Sequence, residues 1–216
     1  SYALYKLPDS VSDAAGALVE PIAVAVHAAR ISRMRLGDRV AVVGDGIIGL
    51  TTLIAVKAAG ASEAFMISKH RGRGQKALSF GASSVINLND GDAVQTVKEL
   101  TGGLGVDVAF ECVGHADTPQ LALDVVRHGG TVVIQGVFDK PAPVDFLDIM
   151  YNQKNIVGSP IYSDEGAVAF NLLADGTIDA GKLISSIIPL EDAVEKGFEK
   201  LLVDKEDTVK IILKVF

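Results

Sequence analysis

The chain carries a single cysteine, Cys112, among its 216 residues. One thiol cannot close an internal disulfide or supply a four-cysteine zinc site, so a reducing cytoplasm is the expected setting. The opening residues, Ser1 to Lys6, lack the basic region and apolar core of a secretory leader. Long apolar runs are missing too. The stretch from Ile47 to Ala59 is interrupted by Gly49, Thr51, Thr52 and Lys57, too short and too polar to span a bilayer. Positive charge is in deficit, and a net charge of −7 argues against nucleic acid or an anionic membrane as partner. There is no internal repeat and no low-complexity tract.

What is present is ordinary globular material, 49 % hydrophobic and 22 % charged, with 22 glycines that suit a fold of many tight turns. Short β-branched runs alternate with helical stretches. Strands are expected at 39–43, 64–67, 84–87, 106–110, 131–135 and 155–158, with helices at 47–59, 75–80, 93–100 and 121–127 between them. Continuous apolar strands separated by helices imply a parallel sheet covered on both faces. The expected fold class is therefore α/β, a Rossmann doubly wound sheet of order 3-2-1-4-5-6. Residues 37–160 would form that domain, 1–36 a connecting segment with a helix at 20–30. Residues 161–216 would add helices at 167–173 and 193–202 and a strand at 208–215.

The first strand runs straight into Gly44-Asp45-Gly46-Ile47-Ile48-Gly49, and a helix follows. A bare G-x-G-x-x-G says little; between a strand and a helix it has a mechanism. Gly44 permits the tight turn, Gly46 lets a pyrophosphate approach the backbone, and Gly49 lets helix and strand pack closely. The N–H groups near Ile47 and Ile48 would face the phosphates. The bland alternative is a turn whose glycines serve packing alone.

NAD-binding folds place an Asp or Glu about 20 residues further on to hold the ribose 2′-hydroxyl. Nineteen residues after Gly49 comes Ser68, and no acid occurs between Glu63 and Asp90. Ser68 is followed instead by Lys69, His70, Arg71 and Arg73. A hydroxyl can donate to a 2′-phosphate, and guanidinium offers planar donors matched to phosphate oxygens. NADP(H) is therefore expected over NAD(H), with Ser68, Lys69, Arg71 and Arg73 as the pocket; a solvated basic loop is the competing reading. His70 stacks on adenine or points to solvent, and solvent is preferred.

Several stretches together carry a resemblance: Lys6-Leu7-Pro8-Asp9, Glu20-Pro21 through Ala28, the glycine turn, Phe110-Glu111-Cys112-Val113-Gly114, Gly129-Gly130 through Val137, and Asp207-Thr208-Val209-Lys210-Ile211. They resemble the C-terminal, cofactor-binding part of the zinc-dependent medium-chain dehydrogenases, in the polyol branch of sorbitol, butanediol and threonine dehydrogenases. The resemblance implies that Cys112, Val113 and Gly114 run beside the cofactor. It also implies that Gly136, Val137, Phe138, Ser159, Pro160 and Ile161 line the nicotinamide and its carboxamide, and that Val24 lies against the ring. For each of these, strand-end packing is the plain alternative. Glu20 would reach a catalytic zinc directly or through water, or else be a helix-start carboxylate. His27, His115 and His128 read as packing, loop or helix-end residues.

The resemblance further implies a β-barrel domain carrying the other zinc ligands, none of which occurs here. The chain is then expected to be a piece of a longer protein, with catalytic zinc in the full-length enzyme only. By itself it should bind NADP(H) without turning over alcohols. The whole protein would act on a small alcohol, polyol or ketone and would be a homo-oligomer. Other readings are a zinc-independent medium-chain reductase and a stand-alone dinucleotide-binding sensor. A short-chain dehydrogenase would need Tyr-x-x-x-Lys after the fourth strand. Tyr2 and Lys6 have that spacing but precede the glycine turn, and Tyr151 and Lys154 are three apart.

Overall fold

The computed structural model describes residues 4–215; Ser1 to Ala3 of the opening stretch, and with them Tyr2, lie outside the described residues, as does Phe216. Chain order begins with a short helix α1 (Asp13–Gly16) and a longer α2 (Val19–Ile31). The alternating core follows: β1 (Arg39–Val43), α3 (Ile47–Ala58), β2 (Glu63–Ser68), α4 (Arg71–Ser79), β3 (Ser84–Asn87), α5 (Ala93–Leu100), β4 (Val106–Glu111), α6 (Thr118–Val125), β5 (Val126–Ile134), α7 (Phe146–Tyr151) and β6 (Asn155–Gly158). These six strands form one parallel sheet of order β3-β2-β1-β4-β5-β6, as expected from the alternation. The order reverses between β1 and β4, which opens a crevice at their carboxyl ends.

Successive residues of the central strands serve opposite faces. Val40, Val42, Met66, Val108, Phe110 and Val133 join one core with α2, α3 and the later helix α8 (Gly166–Ala174). Ala41, Val43, Phe65, Ile67, Ala109 and Val132 join another with α5 and α6. Burying a side chain of this size contributes about 2 kcal/mol. Because α2 and α8 share the first core, the flanking segments cover one face of the sheet. A buried ionic group locks them together: Glu165 accepts from His27 Nδ1 at 3.0 Å, from Arg30 at 3.2 Å and from the N–H of Ser163 at 2.7 Å. Burial alone would raise the Glu165 carboxyl; the N–H of Ser163 and the His27 ring outweigh it and hold it at about 2.

Beyond α8 come α9 (Ala180–Leu183) and β7 (Ile184–Pro189), which pairs in parallel with β8 (Lys210–Lys214). Strand β7 is absent from the sequence reading because Ile184-Ser185-Ser186 breaks the alternation. The helix expected at 193–202 is instead a π-helical stretch, Ala193–Glu199, running into α10 (Lys200–Val203). Its apolar side chains Val194, Phe198, Leu202 and Val203 are exposed. A second departure bears on the site. The helix expected at 75–80 begins at Arg71, so Arg71 and Arg73 belong to the first turn of α4 and not to a loop.

Candidate dinucleotide site

At the carboxyl ends of β1 and β4 lies a cavity of about 590 Å³. Val43, Gly44, Asp45 and Gly46 line it from β1, Lys69, His70 and Arg73 from the β2 side, and Cys112, Val113, His115 and Thr118 from the β4 side. Gly44 has φ +113°, a conformation L side chains rarely adopt, and a Cβ there would meet Val113 at 2.7 Å. A Cβ on Gly49 would fall inside the carbonyl group of Gly44. Nothing lies within 4 Å of the place a Gly46 Cβ would occupy, so the backbone there is open to approach. Gly46 caps α3 without a side-chain hydrogen bond, leaving the helix's first N–H groups for an anion. The residues present fit a dinucleotide pyrophosphate.

Asp45 was missed from sequence. Its carboxylate turns away from the phosphate turn toward the end of β2. Oδ2 accepts from the Ser68 hydroxyl at 2.6 Å and from the N–H groups of Lys69 at 3.0 Å and His70 at 2.8 Å. Oδ1 lies 3.0 Å from His70 Nδ1 and 3.9 Å from an Arg73 nitrogen. Burial would push this carboxyl up; the hydrogen bonds from Ser68 and His70 outweigh it and hold it below the usual carboxylate range. A signal existed, since a carboxylate inside a phosphate-binding turn must be neutralised or turned aside.

The four residues of the expected 2′-phosphate pocket are not brought together. Ser68 is fully buried, its hydroxyl shared between Asp45 and the carbonyl of His70, so it cannot face a ligand. Arg71 points outward to Asp90. Lys69 and Arg73 do line the cavity. Arg73, however, donates from Nε at 2.9 Å to the carbonyl of Thr208, and Lys76 donates to that of Asp207. These contacts tie α4 to the loop before β8. His70, expected at solvent, is instead held against Asp45 on the cavity wall.

On the β4 side a buried carboxylate that the sequence reading passed over organises the turn. Glu111 Oε1 accepts from the N–H of Val113 at 2.8 Å, from that of Gly114 at 2.9 Å and from the Thr118 hydroxyl at 2.7 Å. Its carbonyl accepts from Gln135 and Gly136, so the ends of β4 and β5 are fastened backbone to backbone. A Cβ on Gly136 or Gly114 would strike the facing turn. The Cys112 thiol is pushed well up by burial and by the neighbouring Glu111 charge, so it stays protonated.

The remaining expected contacts lie off this cavity. Val137 is 91 % exposed and Ile161 65 %, while Phe138 lines a shallower recess with Ile134 and Ile156. Ser159 keeps a buried hydroxyl with no partner among the described residues. Val24 is buried on α2 and Glu20 is exposed on its first turn. Among the described residues no group of three His, Cys, Asp or Glu side chains is placed to hold a metal ion. No described helix is long and apolar enough to cross a membrane.

Comparisons with known proteins now bear on this geometry. Residues 48–175 match the family model of zinc-binding dehydrogenases. The (R,R)-butanediol dehydrogenase of Bacillus subtilis is 38 % identical over 211 residues, covering 98 % of this chain and 60 % of that protein. Human sorbitol dehydrogenase is 33 % identical over 97 % of this chain and 58 % of its own length. A crystal structure of the Bacillus subtilis 2R,3R-butanediol dehydrogenase superposes with a TM-score of 0.92 at 37 % identity, over 98 % of this chain and 60 % of that one. A candidate zinc-binding dehydrogenase from Sinorhizobium meliloti, bound to NADP, gives 0.88 at 28 % identity, over 98 % of this chain and 62 % of that one. The chain thus spans about 60 % of the length of such relatives. By family model, sequence and fold together, this chain belongs to the zinc-binding dehydrogenases, within the medium-chain alcohol and polyol dehydrogenases.

Proposed function

We propose that the chain is the NADP(H)-binding part of a zinc-dependent medium-chain alcohol or polyol dehydrogenase. The observation that carries this reading is the cavity at the β1–β4 crevice. Its floor is an open glycine turn, and the wall toward β2 is basic. Asp45, the acid of the glycine turn, is spent on internal hydrogen bonds. The N–H groups at the start of α3 would hold the pyrophosphate, and the basic wall of Lys69, His70 and Arg73 would draw the 2′-phosphate. Gly114, Gly136, Val137, Phe138, Ser159 and Ile161 would orient the nicotinamide end, with Val24 behind the ring. When bound, the nicotinamide supplies the hydride chemistry; the chain fixes its position.

Glu20 would be this chain's contribution to a catalytic zinc, which would belong to the full-length enzyme only. The substrate would be a small alcohol, polyol or ketone. The exposed edge strand β6, flanked by exposed Phe146, Leu147, Met150 and Tyr151, favours a homo-oligomer. The lone free thiol suits a reducing cytoplasm. Calorimetric titration with NADPH and NADH tests the reading. Tighter NADPH binding, with no zinc-dependent alcohol oxidation by these 216 residues, is expected. Tighter NADH binding would overturn the cofactor assignment, and alcohol turnover by this chain would overturn the division of labour.

A further inference from the structure

The side chain at the end of β2 is where cofactor discrimination is decided in a doubly wound fold, and here that side chain is unusable. Ser68 is fully buried against Asp45. Arg71 faces Asp90, and the Arg73 guanidinium is engaged by the carbonyl of Thr208. Two basic side chains of the run remain on the cavity wall with nitrogen atoms that take no protein partner among the described residues: Lys69 Nζ and His70 Nε2. They differ in kind. Lys69 is an exposed point charge on a flexible stem, and ordering it costs rotamer freedom. His70 has only two side-chain torsions, and its ring is held at Nδ1 by a carboxylate that also accepts from its own N–H. A carboxylate on Nδ1 fixes the orientation of the ring and so aims Nε2. The His70 ring is thus in place before a ligand arrives, which removes much of the cost of binding.

We infer that His70 is the residue that reads the 2′-phosphate of the adenosine ribose, and that Asp45, from within the glycine turn, is its positioning residue. In its charged form the ring donates from Nε2 to a phosphate oxygen while Nδ1 donates to Asp45. The carboxylate usually sought at the end of β2 to hold a ribose is here supplied by the turn after β1, and it holds a histidine instead. This inference rests on the NADP(H) reading and assigns its selectivity to one ring.

The test is equilibrium binding of NADPH and NADH, read by nicotinamide fluorescence. It compares the wild-type chain with His70→Ala, Lys69→Ala, Asp45→Ala and the double variant Asp45→Ala with His70→Ala. His70→Ala is expected to lower the NADPH-to-NADH affinity ratio about tenfold, the worth of one hydrogen bond between charged groups, with NADH affinity unchanged within about twofold. Lys69→Ala should move the ratio less, and its effect should fade at high salt. Asp45→Ala should lower the ratio, and adding it to His70→Ala should lower it no further, because it acts through the same ring. If Asp45→Ala does not fold, His70→Ala decides alone. An unchanged ratio in His70→Ala, or equal loss of both cofactors, overturns the inference while a wild-type preference for NADPH leaves the broader reading standing. A wild-type chain that binds NADH more tightly overturns that reading itself, and the phosphate role of His70 with it.

Discussion

At the β1–β2 end of the crevice one buried carboxylate, Asp45, gathers a hydroxyl, two backbone N–H groups and a histidine ring. At the β5–β6 end, Val137 and Ile161 stand in solvent and the Ser159 hydroxyl is buried without a partner among the described residues. The first region is finished by the chain's own hydrogen bonds. The second is a set of strand-end loops whose backbone is placed but whose surroundings are open. If the crevice takes a dinucleotide as proposed, its adenosine side would meet the hydrogen-bonded wall and its nicotinamide side the open loops.

The comparison can be broken most forcefully at its hinge, the glycine turn. Gly49→Ala should cost about 3 kcal/mol or more by urea denaturation, because its Cβ would collide with the Gly44 carbonyl, and backbone cannot yield as a side chain does. It should also abolish NADPH binding; an unchanged midpoint would mean the turn is not as tight as described. Glu111→Ala tests the β4 end. It orphans the N–H groups of Val113 and Gly114, leaves the Thr118 hydroxyl only the carbonyl of His115, and should cost about 2–3 kcal/mol. Glu111→Gln keeps an acceptor at Oε1 and should lose less. If both variants unfold alike, the carboxylate is not acting as the acceptor of that turn.

A smaller effect is expected where Glu165 ties α8 to α2. Its carboxyl ordinarily ionises at 4.5 and in the fold at about 2. The unfolded chain therefore takes up the proton first. The stabilisation is complete above pH 4.5 and is lost as the pH falls through about 2. Glu165→Gln should cost about 2 kcal/mol at neutral pH and flatten the acid limb of a stability–pH profile. An acid limb identical to wild type would show that His27 and Arg30 do not depend on that charge. The smallest effect belongs to the exposed rim. Val137→Ser and Ile161→Ser should each shift stability by less than about 0.5 kcal/mol. A large loss at either would mean the nicotinamide end is as built as the adenosine end.

Much of the fold was legible because its signals are local and repeated. Strands such as Val40-Ala41-Val42-Val43, buried on both faces, need continuous apolar runs, and the intervening helices carry their own period. Strand β7 was illegible because its partner β8 lies far along the chain and Ser185-Ser186 carries no apolar alternation. The π-helical stretch at Ala193–Glu199 shares its residue pattern with an ordinary amphipathic helix. In the site, the glycine turn was readable because its spacing, between a strand and a helix, is contained in six residues of chain. The basic run was readable only as composition. Which of its members face the cavity depends on contacts with Asp45, Asp90 and Thr208, each distant in sequence from the run.

The sequence by itself determined the parallel sheet, its strand order and the glycine turn at the end of its first strand, since these follow from side-chain periodicity and the geometry of glycine. Tertiary structure alone decided the direction of each polar side chain. Ser68 turned inward, Arg71 outward, and His70 was captured by a carboxylate from a neighbouring turn. The physical reason is that a buried polar group must find a partner wherever the fold brings one within about 3 Å, and that partner is set by which strands lie side by side.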